Sequence, residues 1–359
     1  MKLTRRELAG IAVLSGGARI ARAQDGGRHF GYCIVGLGRI SMQHFMPATR
    51  MSERSRVTAL VSGHRDKAEK MAAEYGVHTA SIYSYENYDT IADNPEIDGV
   101  YIALPNGMHA EYTIRAARAG KHVLCEKPMS NTAAEAQEMV DACRKANRKL
   151  MIAYRCQYEP THLHAIELMR STKLGKIVSI ESANGFNIRP GEWRITRKLG
   201  GGGPLMDMGI YSLNACRYLT GEEPTGELKA YSSVTDQDGR FSEVEENLSW
   251  TMKFPSGIVA NCTTTYGASM PGTFTVYGSK GTMRMDAAFG YQGQHLTAKI
   301  QGEAPIDDQS AERDPAHFPR QADHLAECAA NNTEPKTSGV EGLRDMKLIE
   351  AIYRSCARA

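Results

Sequence analysis

The chain predicts an α/β protein in two parts: a doubly wound parallel sheet, then an α+β domain built on a large, mostly antiparallel open sheet. Three observations predict it. Between residues 31 and 153 short β-rich runs alternate with helical patterns, as in a parallel sheet covered on both faces. After residue 159 one helical run gives way to strand after strand joined by turn sequences, the pattern of an antiparallel sheet. The 359 residues, 42% hydrophobic and 23% charged, suffice for two cores and show no bias toward disorder.

A basic leader comes first. Lys2, Arg5, Arg6, Arg19 and Arg22 against Glu7 put +4 of the chain's formal +2 into residues 1–23, leaving about −2 for the rest. No basic stripe remains for nucleic acid. Thr4-Arg5-Arg6-Glu7-Leu8 precedes a weakly apolar run to Ile20, and Ala21-Arg22-Ala23 supplies small residues for cleavage. Residues 1–23 therefore read as a twin-arginine (Tat) signal that directs an already folded protein to the periplasm. The run is too short and too interrupted to span a bilayer, and no later stretch reaches about 18 apolar residues.

The first domain is expected over residues 24–153. Its strands are "GYCIVG", "RVTALVS", "DGVYIAL", "KHVLCE" and "KLMIAY"; its helices are "DKAEKMAAEYG", "HAEYTIRAARAG" and "TAAEAQEMVDACRKAN". Gly76 and Gly120 fall where helix C-caps belong. The second domain, residues 154–359, opens with the helix "PTHLHAIELMRS" and the strand "GKIVSIESA", followed by a glycine run and a helix around "DMGIYSLNACRYL". Then come "ELKAYSSVT", "NLSWTMKF", "IVANCTTTYG", "TFTVYG", "GTMRMDA" and "LTAKIQ", with "FPSG" and "GSKG" as hairpin turns. "GEAPIDDQSAERDP" reads as a long polar loop, and helices from about Pro319 to Asn331 and Gly339 to Arg358 finish the chain. The eight cysteines, lying in apolar strand-like and helix-like runs without C-x-x-C spacing, read as buried thiols rather than a disulfide framework. His44, His162, His164, His295, His317 and His324 show no metal-ligand spacing.

Gly36-Leu37-Gly38-Arg39-Ile40-Ser41 follows the first strand and opens the first helix, which is the setting of the Rossmann dinucleotide fingerprint. Gly36 would make the tight turn and Gly38 would admit a pyrophosphate, while Ser41 replaces the third glycine. At the end of the second strand, where an acidic residue would hold a ribose 2′-hydroxyl, the chain reads Ser62-Gly63-His64-Arg65-Asp66-Lys67. Ser62, Lys67 and Arg65 could donate to a 2′-phosphate that a carboxylate would repel, so NADP(H) is the expected cofactor. "LPNGMHAEY" (from Leu104, Pro105) and "CEKPMS" (with Glu126) end two strands at the carboxyl edge, where ligands bind in this architecture. Lys127 lies there. Downstream, "GGGGPLMDMGIYSLN" puts Asp207 and Tyr211 four residues apart, on one face of a helix or its entry turn. Together they allow a proton relay for carbinol oxidation: Tyr211 as acid/base, Lys127 stabilising its phenolate, Asp207 orienting the substrate hydroxyl. The alternative is an N-capping Asp207 and a core Tyr211.

"GYCIVGLGRI", "ALVSGHRDKAEKMAAEYGV", "YIALPNGMHAEYTIRAARAGKHVLCEKPM", "KLMIAYRCQYEP" and "GGGGPLMDMGIYSLNACRYLTGEEP" resemble the Gfo/Idh/MocA oxidoreductases over nearly the whole chain after the leader. Within that family Tyr211, where most members have histidine, marks the periplasmic glucose-fructose branch. The resemblance implies that Lys127, Asp207, Tyr211 and Arg155 meet the substrate, and that Ser62 and Lys67 hold the 2′-phosphate. It also implies that Arg39, Gly63, Tyr85, Asn106, His109, Trp193, Arg194 and Tyr291 line the cofactor or a sugar. Enzymes of this branch keep NADP(H) without release, oxidising one sugar and reducing another. That would reconcile export with the need for a nucleotide. The branch's proline-rich arm before the first strand is reduced here to Gln24 to Phe30, so a homodimer through the open sheet is expected rather than an arm-linked tetramer. "SANGFNIRPGEWRITRKLGG" also departs from the branch, and an aldose-aldose exchange fits as well as a glucose-fructose pair. An inositol- or 1,5-anhydrofructose-type dehydrogenase with exchangeable NAD(P), or a catalytically silent sugar- or nucleotide-binding protein, are the rival readings.

Overall fold

The structure, a computed structural model, describes residues 28–226, 228–309 and 317–356. The expected export signal and most of the segment that follows it lie outside the described residues.

Six parallel strands form the first sheet: β1 (Phe30–Val35), β2 (Ser55–Val61), β3 (Ile82–Tyr83), β4 (Gly99–Ile102), β5 (His122–Cys125) and β6 (Leu150–Ile152), in the order β3-β2-β1-β4-β5-β6. Each central strand is a continuous apolar run because helices cover both faces. The order reverses between β1 and β4, so a crevice opens beyond their carboxyl ends, where loops from several strands converge. The sequence did not reveal β3, whose two residues sit among polar neighbours. The helices here are α1 (Met46–Thr49), entered through a π-turn at Ser41–Phe45, then α2 (Arg65–Tyr75), α3 (His109–Arg118) and α4 (Ala133–Lys145). Gly76 (φ 67°) and Gly120 (φ 73°) take the left-handed conformation that ends α2 and α3. Thr132 and Glu135 form a reciprocal capping box at the start of α4.

Eight strands form the second sheet: β7 (Ile177–Gly185), β8 (Leu228–Ser233), β9 (Asn247–Lys253), β10 (Val259–Thr265), β11 (Met270–Gly278), β12 (Gly281–Asp286), β13 (His295–Ile300) and β14 (Ile306–Gln309). Their order is β14-β13-β12-β11-β7-β10-β9-β8, antiparallel throughout except for the parallel pair β7 and β10. "FPSG" and "GSKG" close the β9–β10 and β11–β12 hairpins. β14 corrects the sequence reading, which made "GEAPIDDQSAERDP" a loop. Its Ile-Asp-Asp-Gln pairs with β13 at the edge, where charged side chains discourage further pairing and hide the strand's apolar signal.

Helices α5 (Pro160–Arg170), α6 (Arg197–Gly200) and α7 (Ile210–Thr220) accompany this sheet, and α7 is almost wholly buried against it. The last helices, α8 (His317–Asn331) and α9 (Gly339–Cys356), return to the first domain. There the Ile152 N–H donates to the Thr337 carbonyl at 2.7 Å. One apolar cluster therefore runs from Cys33 in β1 to Ile352 in α9, through both parts of the chain. All eight cysteines are free thiols; seven are buried and Cys356 is half-buried.

Candidate active site

The turn after β1 is shaped for a dinucleotide. Gly36 has φ +93°, and a Cβ there would meet the Ala103 carbonyl oxygen at 2.7 Å. At Gly38 a Cβ would approach nothing closer than 4.0 Å, so its backbone is open to the crevice. Ser41 replaces the third glycine by donating its hydroxyl to the Gly36 carbonyl at 2.6 Å, which ties the turn shut from within. Arg39 is exposed and Ile40 half-buried at the entry of the following helical turns.

The chain after β2 carries no carboxylate before Asp66. The Ser62 hydroxyl accepts from the His64 N–H at 3.1 Å, and Gly63 lies under the Tyr85 ring. Lys67 donates to the Leu37 carbonyl at 2.5 Å, which brings its ammonium beside the glycine turn. Arg65 does not join them: its guanidinium is held by Glu69 at 2.8 Å and the Ile82 carbonyl at 3.2 Å. These residues fit a dinucleotide with a 2′-phosphate, through Gly36, Gly38, Ser62 and Lys67.

Loops after β4 and β5 are locked to one another. His109, fully buried, sets its two ring nitrogens 2.8 Å from the Leu104 and Pro128 carbonyls, and burial lowers its pKa. Asn106, next to Pro105, is buried and donates to the Gly200 carbonyl at 2.9 Å. Both side chains are thus occupied in joining loops. Glu126 accepts from the Tyr101 hydroxyl at 2.6 Å, and burial raises its pKa.

Lys127, Asp207 and Tyr211 come together. Lys127 Nζ donates to Asp207 Oδ1 at 2.9 Å and to its carbonyl at 2.7 Å, and lies 4.4 Å from the Tyr211 ring centroid. Asp207 Oδ2 accepts from Arg194 Nε at 3.1 Å and from the Tyr266 hydroxyl at 3.0 Å. Burial would raise the Asp207 pKa, but the adjacent cations Lys127 and Arg194 outweigh it and hold the carboxyl down at about 2. Burial would likewise depress Lys127, yet Asp207 keeps the ammonium above the ordinary lysine value. Both residues are charged at neutral pH. The carboxylate already takes three side-chain donors, so it fixes Lys127 and Arg194 in place; Oδ1, with one donor, keeps an acceptor position for a substrate hydroxyl.

Asp207 sits in a π-turn, Leu205–Gly209, rather than a regular helix. The preceding glycines are packed from all sides: a Cβ at Gly200, Gly201, Gly202 or Gly203 would collide with Arg194, Asn131, Tyr353 or Glu245 respectively. Glu245 also accepts the Gly203 N–H at 3.1 Å, pinning the turn that carries Asp207.

Tyr211 accepts from Arg155 at 3.3 Å and stacks on Phe289, ring centroids 5.5 Å apart. Arg155 is buried; its fork donates to the Phe289 carbonyl at 2.6 Å and the Gly290 carbonyl at 2.7 Å. The Tyr291 ring lies between Arg155 (4.4 Å) and the His44 ring (4.0 Å). Trp193, half-buried, lies under the Arg194 guanidinium at 4.5 Å. Sequence reasoning missed Tyr266, at the end of β10, and Phe289; nothing in "TTTYG" or "AAFGY" distinguishes them from core aromatics.

Among the described residues no cluster of His, Cys, Asp and Glu could hold a metal ion, and no helix is long and apolar enough to cross a membrane. A parallel sheet with a glycine-rich nucleotide turn, facing a Lys-Asp-Tyr-Arg cluster brought by a second sheet, defines a nucleotide-dependent oxidoreductase.

The chain belongs to the Gfo/Idh/MocA family. The family model "Oxidoreductase family, NAD-binding Rossmann fold" matches residues 30–154, and "GFO/IDH/MocA C-terminal domain" matches residues 162–284. The crystal structure of aldose-aldose oxidoreductase from Caulobacter crescentus, complexed with glycerol, is similar at 45% identity and TM-score 0.88, over 92% of this chain and 98% of that one. D-xylose 1-dehydrogenase [NADP(+)] of Haloarcula marismortui is 30% identical over 90% of each chain. 1,5-Anhydro-D-fructose reductase of Ensifer adhaerens is 25% identical over 70% of this chain and 74% of its own. The protein is a sugar oxidoreductase with an NAD(P)-binding domain.

Proposed function

We propose that the protein is an exported sugar oxidoreductase that keeps NADP(H) bound, oxidises an aldose to its lactone and then reduces a second sugar to an alditol in ping-pong fashion. The observation that carries this reading is the Tyr211 hydroxyl, bonded by Arg155 and flanked by Lys127 beside the nucleotide crevice. A nicotinamide bound there supplies the acceptor and donor of hydride. Tyr211, as phenolate, takes the proton of the C1 hydroxyl while the C1 hydrogen departs as hydride, leaving the lactone. Arg155 and Lys127 stabilise the phenolate before transfer. In the return half-reaction the carbonyl carbon of the second sugar gains hydride, and Tyr211 gives its oxygen the same proton. Atoms and charge balance over the cycle, and the chain's residues return to their starting state.

Retention follows from the need to work outside the cytoplasm, where free nucleotide is scarce. About 1.4 kcal/mol of added binding slows escape tenfold if association is unchanged. The 45% identity to an aldose-aldose oxidoreductase supports this sugar-for-sugar exchange. A homodimer through the open sheet is part of the reading; exposed Tyr231 and Tyr277 on its strands support it.

The test is the near-ultraviolet absorbance of the exported protein after dialysis. A reduced-nicotinamide band that persists, bleaches when an aldose acceptor is added and returns with an aldose donor supports the reading. Colourless protein that turns over only with added NADP+ would instead make it a dehydrogenase that exchanges its nucleotide.

A further inference from the structure

The sequence offers His162 no role, since it lacks metal spacing and lies in an ordinary helical run. In the structure it is fully buried in the first turn of α5, its backbone N–H accepted by the Glu159 carboxylate at 2.8 Å. Nε2 lies 2.7 Å from the Ala288 carbonyl and Nδ1 lies 2.8 Å from the Tyr218 hydroxyl. A carbonyl only accepts, so Nε2 carries the proton and Nδ1 receives the tyrosine's. The tautomer is fixed by its neighbours.

Ala288 belongs to the β12–β13 loop. Its carbonyl and the next two, Phe289 and Gly290, are three consecutive acceptors, the first held by His162 and the others by the Arg155 fork. The same fork reaches the Tyr211 oxygen, and the Phe289 ring stacks on Tyr211. Displacing the loop by a fraction of an ångström therefore moves Arg155 relative to the tyrosine oxygen. The Arg155–Tyr211 contact, at 3.3 Å, has little reach to spare before it ceases to be a hydrogen bond.

We propose that His162 is a positioning residue for catalysis: it anchors the β12–β13 loop so that Arg155 supports the Tyr211 phenolate. This rests on the reading of Tyr211 as acid/base, and the Tyr211→Phe variant tests that reading separately. The groups facing Tyr211 are Lys127 and Arg155, with Asp207 and Tyr291 behind them. Those around His162 are Cys156, Glu159, Tyr218, Arg155 and His317.

The experiment compares wild type, His162→Ala, His162→Gln and Tyr218→Phe as full-length protein carrying its bound nucleotide, with a donor aldose and an acceptor aldose (D-xylose or D-glucose) supplied. It measures kcat, KM and the pH profile of kcat. The structure leads us to expect that His162→Ala loses about tenfold in kcat with KM within about twofold, because the substrate contacts persist while the base is misplaced. The acid limb of its kcat profile should move to higher pH than that of the wild type as Arg155 leaves the tyrosine oxygen. His162→Gln, which restores a donor to Ala288, should recover most of the rate and the wild-type limb. Should His162→Ala fail to fold, Tyr218→Phe, which removes the hydroxyl that orients the imidazole ring, should still shift the limb in the same direction. An unchanged acid limb in every folded variant overturns the proposal, as does equal loss in the Ala and Gln variants. Full activity of Tyr211→Phe would remove the acid/base reading instead.

Discussion

Asp207→Asn tests the ionic centre of the site. The carboxyl pKa is held near 2 against 3.8 for a free aspartate, first by Lys127 and then by Arg194 once the opposing effect of burial is counted. A folded-state pKa below the unfolded one gives stability that is present above the unfolded value and lost as pH falls through the folded one. The lowered pKa corresponds to about 2 kcal/mol at pH 7. At pH 3 the same values leave about 1 kcal/mol. Asparagine keeps the shape and an acceptor oxygen but not the charge, so Lys127, only 9% exposed, stays buried beside a neutral partner. We expect Asp207→Asn to lose about 2–3 kcal/mol at pH 7, a fall of roughly 3–4 °C in Tm for a chain of this length, and about half as much at pH 3. Chemical denaturation at the two pH values measures it. With Asp207 neutral, burial dominates at Lys127, so the alkaline limb of kcat should move to lower pH. Equal stability of the two proteins at pH 7, or a difference that does not shrink at pH 3, would refute the ion-pair reasoning.

The remaining predictions are shorter. Tyr211→Phe should reduce kcat by about 10²-fold or more while leaving dialysis-resistant nucleotide in place, read by absorbance and stopped-flow. Ser62→Asp should cut NADP(H) retention by at least about tenfold through repulsion of the 2′-phosphate, measured as nucleotide content after dialysis; unchanged content would remove Ser62 from the phosphate site. Gly36→Ala, at φ +93° and against the Ala103 carbonyl, should cost about 2 kcal/mol or more in denaturant titration. His122 accepts the Lys149 N–H at 2.9 Å, and burial and then Arg148 lower its pKa to about 4. Its neutral form is favoured in the fold, so stability should fall as pH drops from 6.5 through 4, by roughly 1–2 kcal/mol after solvent screening. His122→Gln should flatten that part of the pH–stability curve.

The fold was legible where the pattern was strong. The central strands are too apolar to be anything else, and Gly36 through Ser41 follows one of them directly. Lys127, Asp207 and Tyr211 could be proposed from their types and spacing, because Lys127 follows a strand at the parallel sheet's carboxyl edge and Asp207 and Tyr211 lie four residues apart at the entry of a helix. What the sequence concealed was how they are held. Arg65 looked like a phosphate ligand until Glu69, one helical turn on, took its guanidinium. Tyr266 reads as a core aromatic, and only the pairing of β10 beside β7 carries its hydroxyl to Asp207. His109 and Asn106 fell among the cofactor candidates, yet His109 is held by the Leu104 and Pro128 carbonyls and Asn106 by that of Gly200, ninety-four residues on. Such contacts depend on long-range packing, which local periodicity does not record.

The charge balance of the site explains why one tyrosine can serve both halves of the proposed exchange. Lys127, Arg155 and Arg194 are cations whose ionised forms the fold reinforces; Asp207 pairs with Lys127 and Arg194, Glu192 also reaches Arg194 at 3.5 Å, and Arg155 meets the Phe289 and Gly290 carbonyls and the Tyr211 hydroxyl. Lys127 and Arg155 flank the Tyr211 oxygen, which must be negative when it removes a proton and faces a developing alkoxide when it returns one. Both half-reactions place negative charge at the same spot, so the same fixed cations lower both barriers without reorganising between them. Asp207 then has a second consequence: by offsetting positive charge it keeps the cluster from holding the phenolate so strongly that it becomes a poor base. Its removal should therefore slow oxidation of the donor sugar more than reduction of the acceptor. Single-turnover measurements of the two half-reactions in Asp207→Asn would show that asymmetry, and equal slowing of both would count against it.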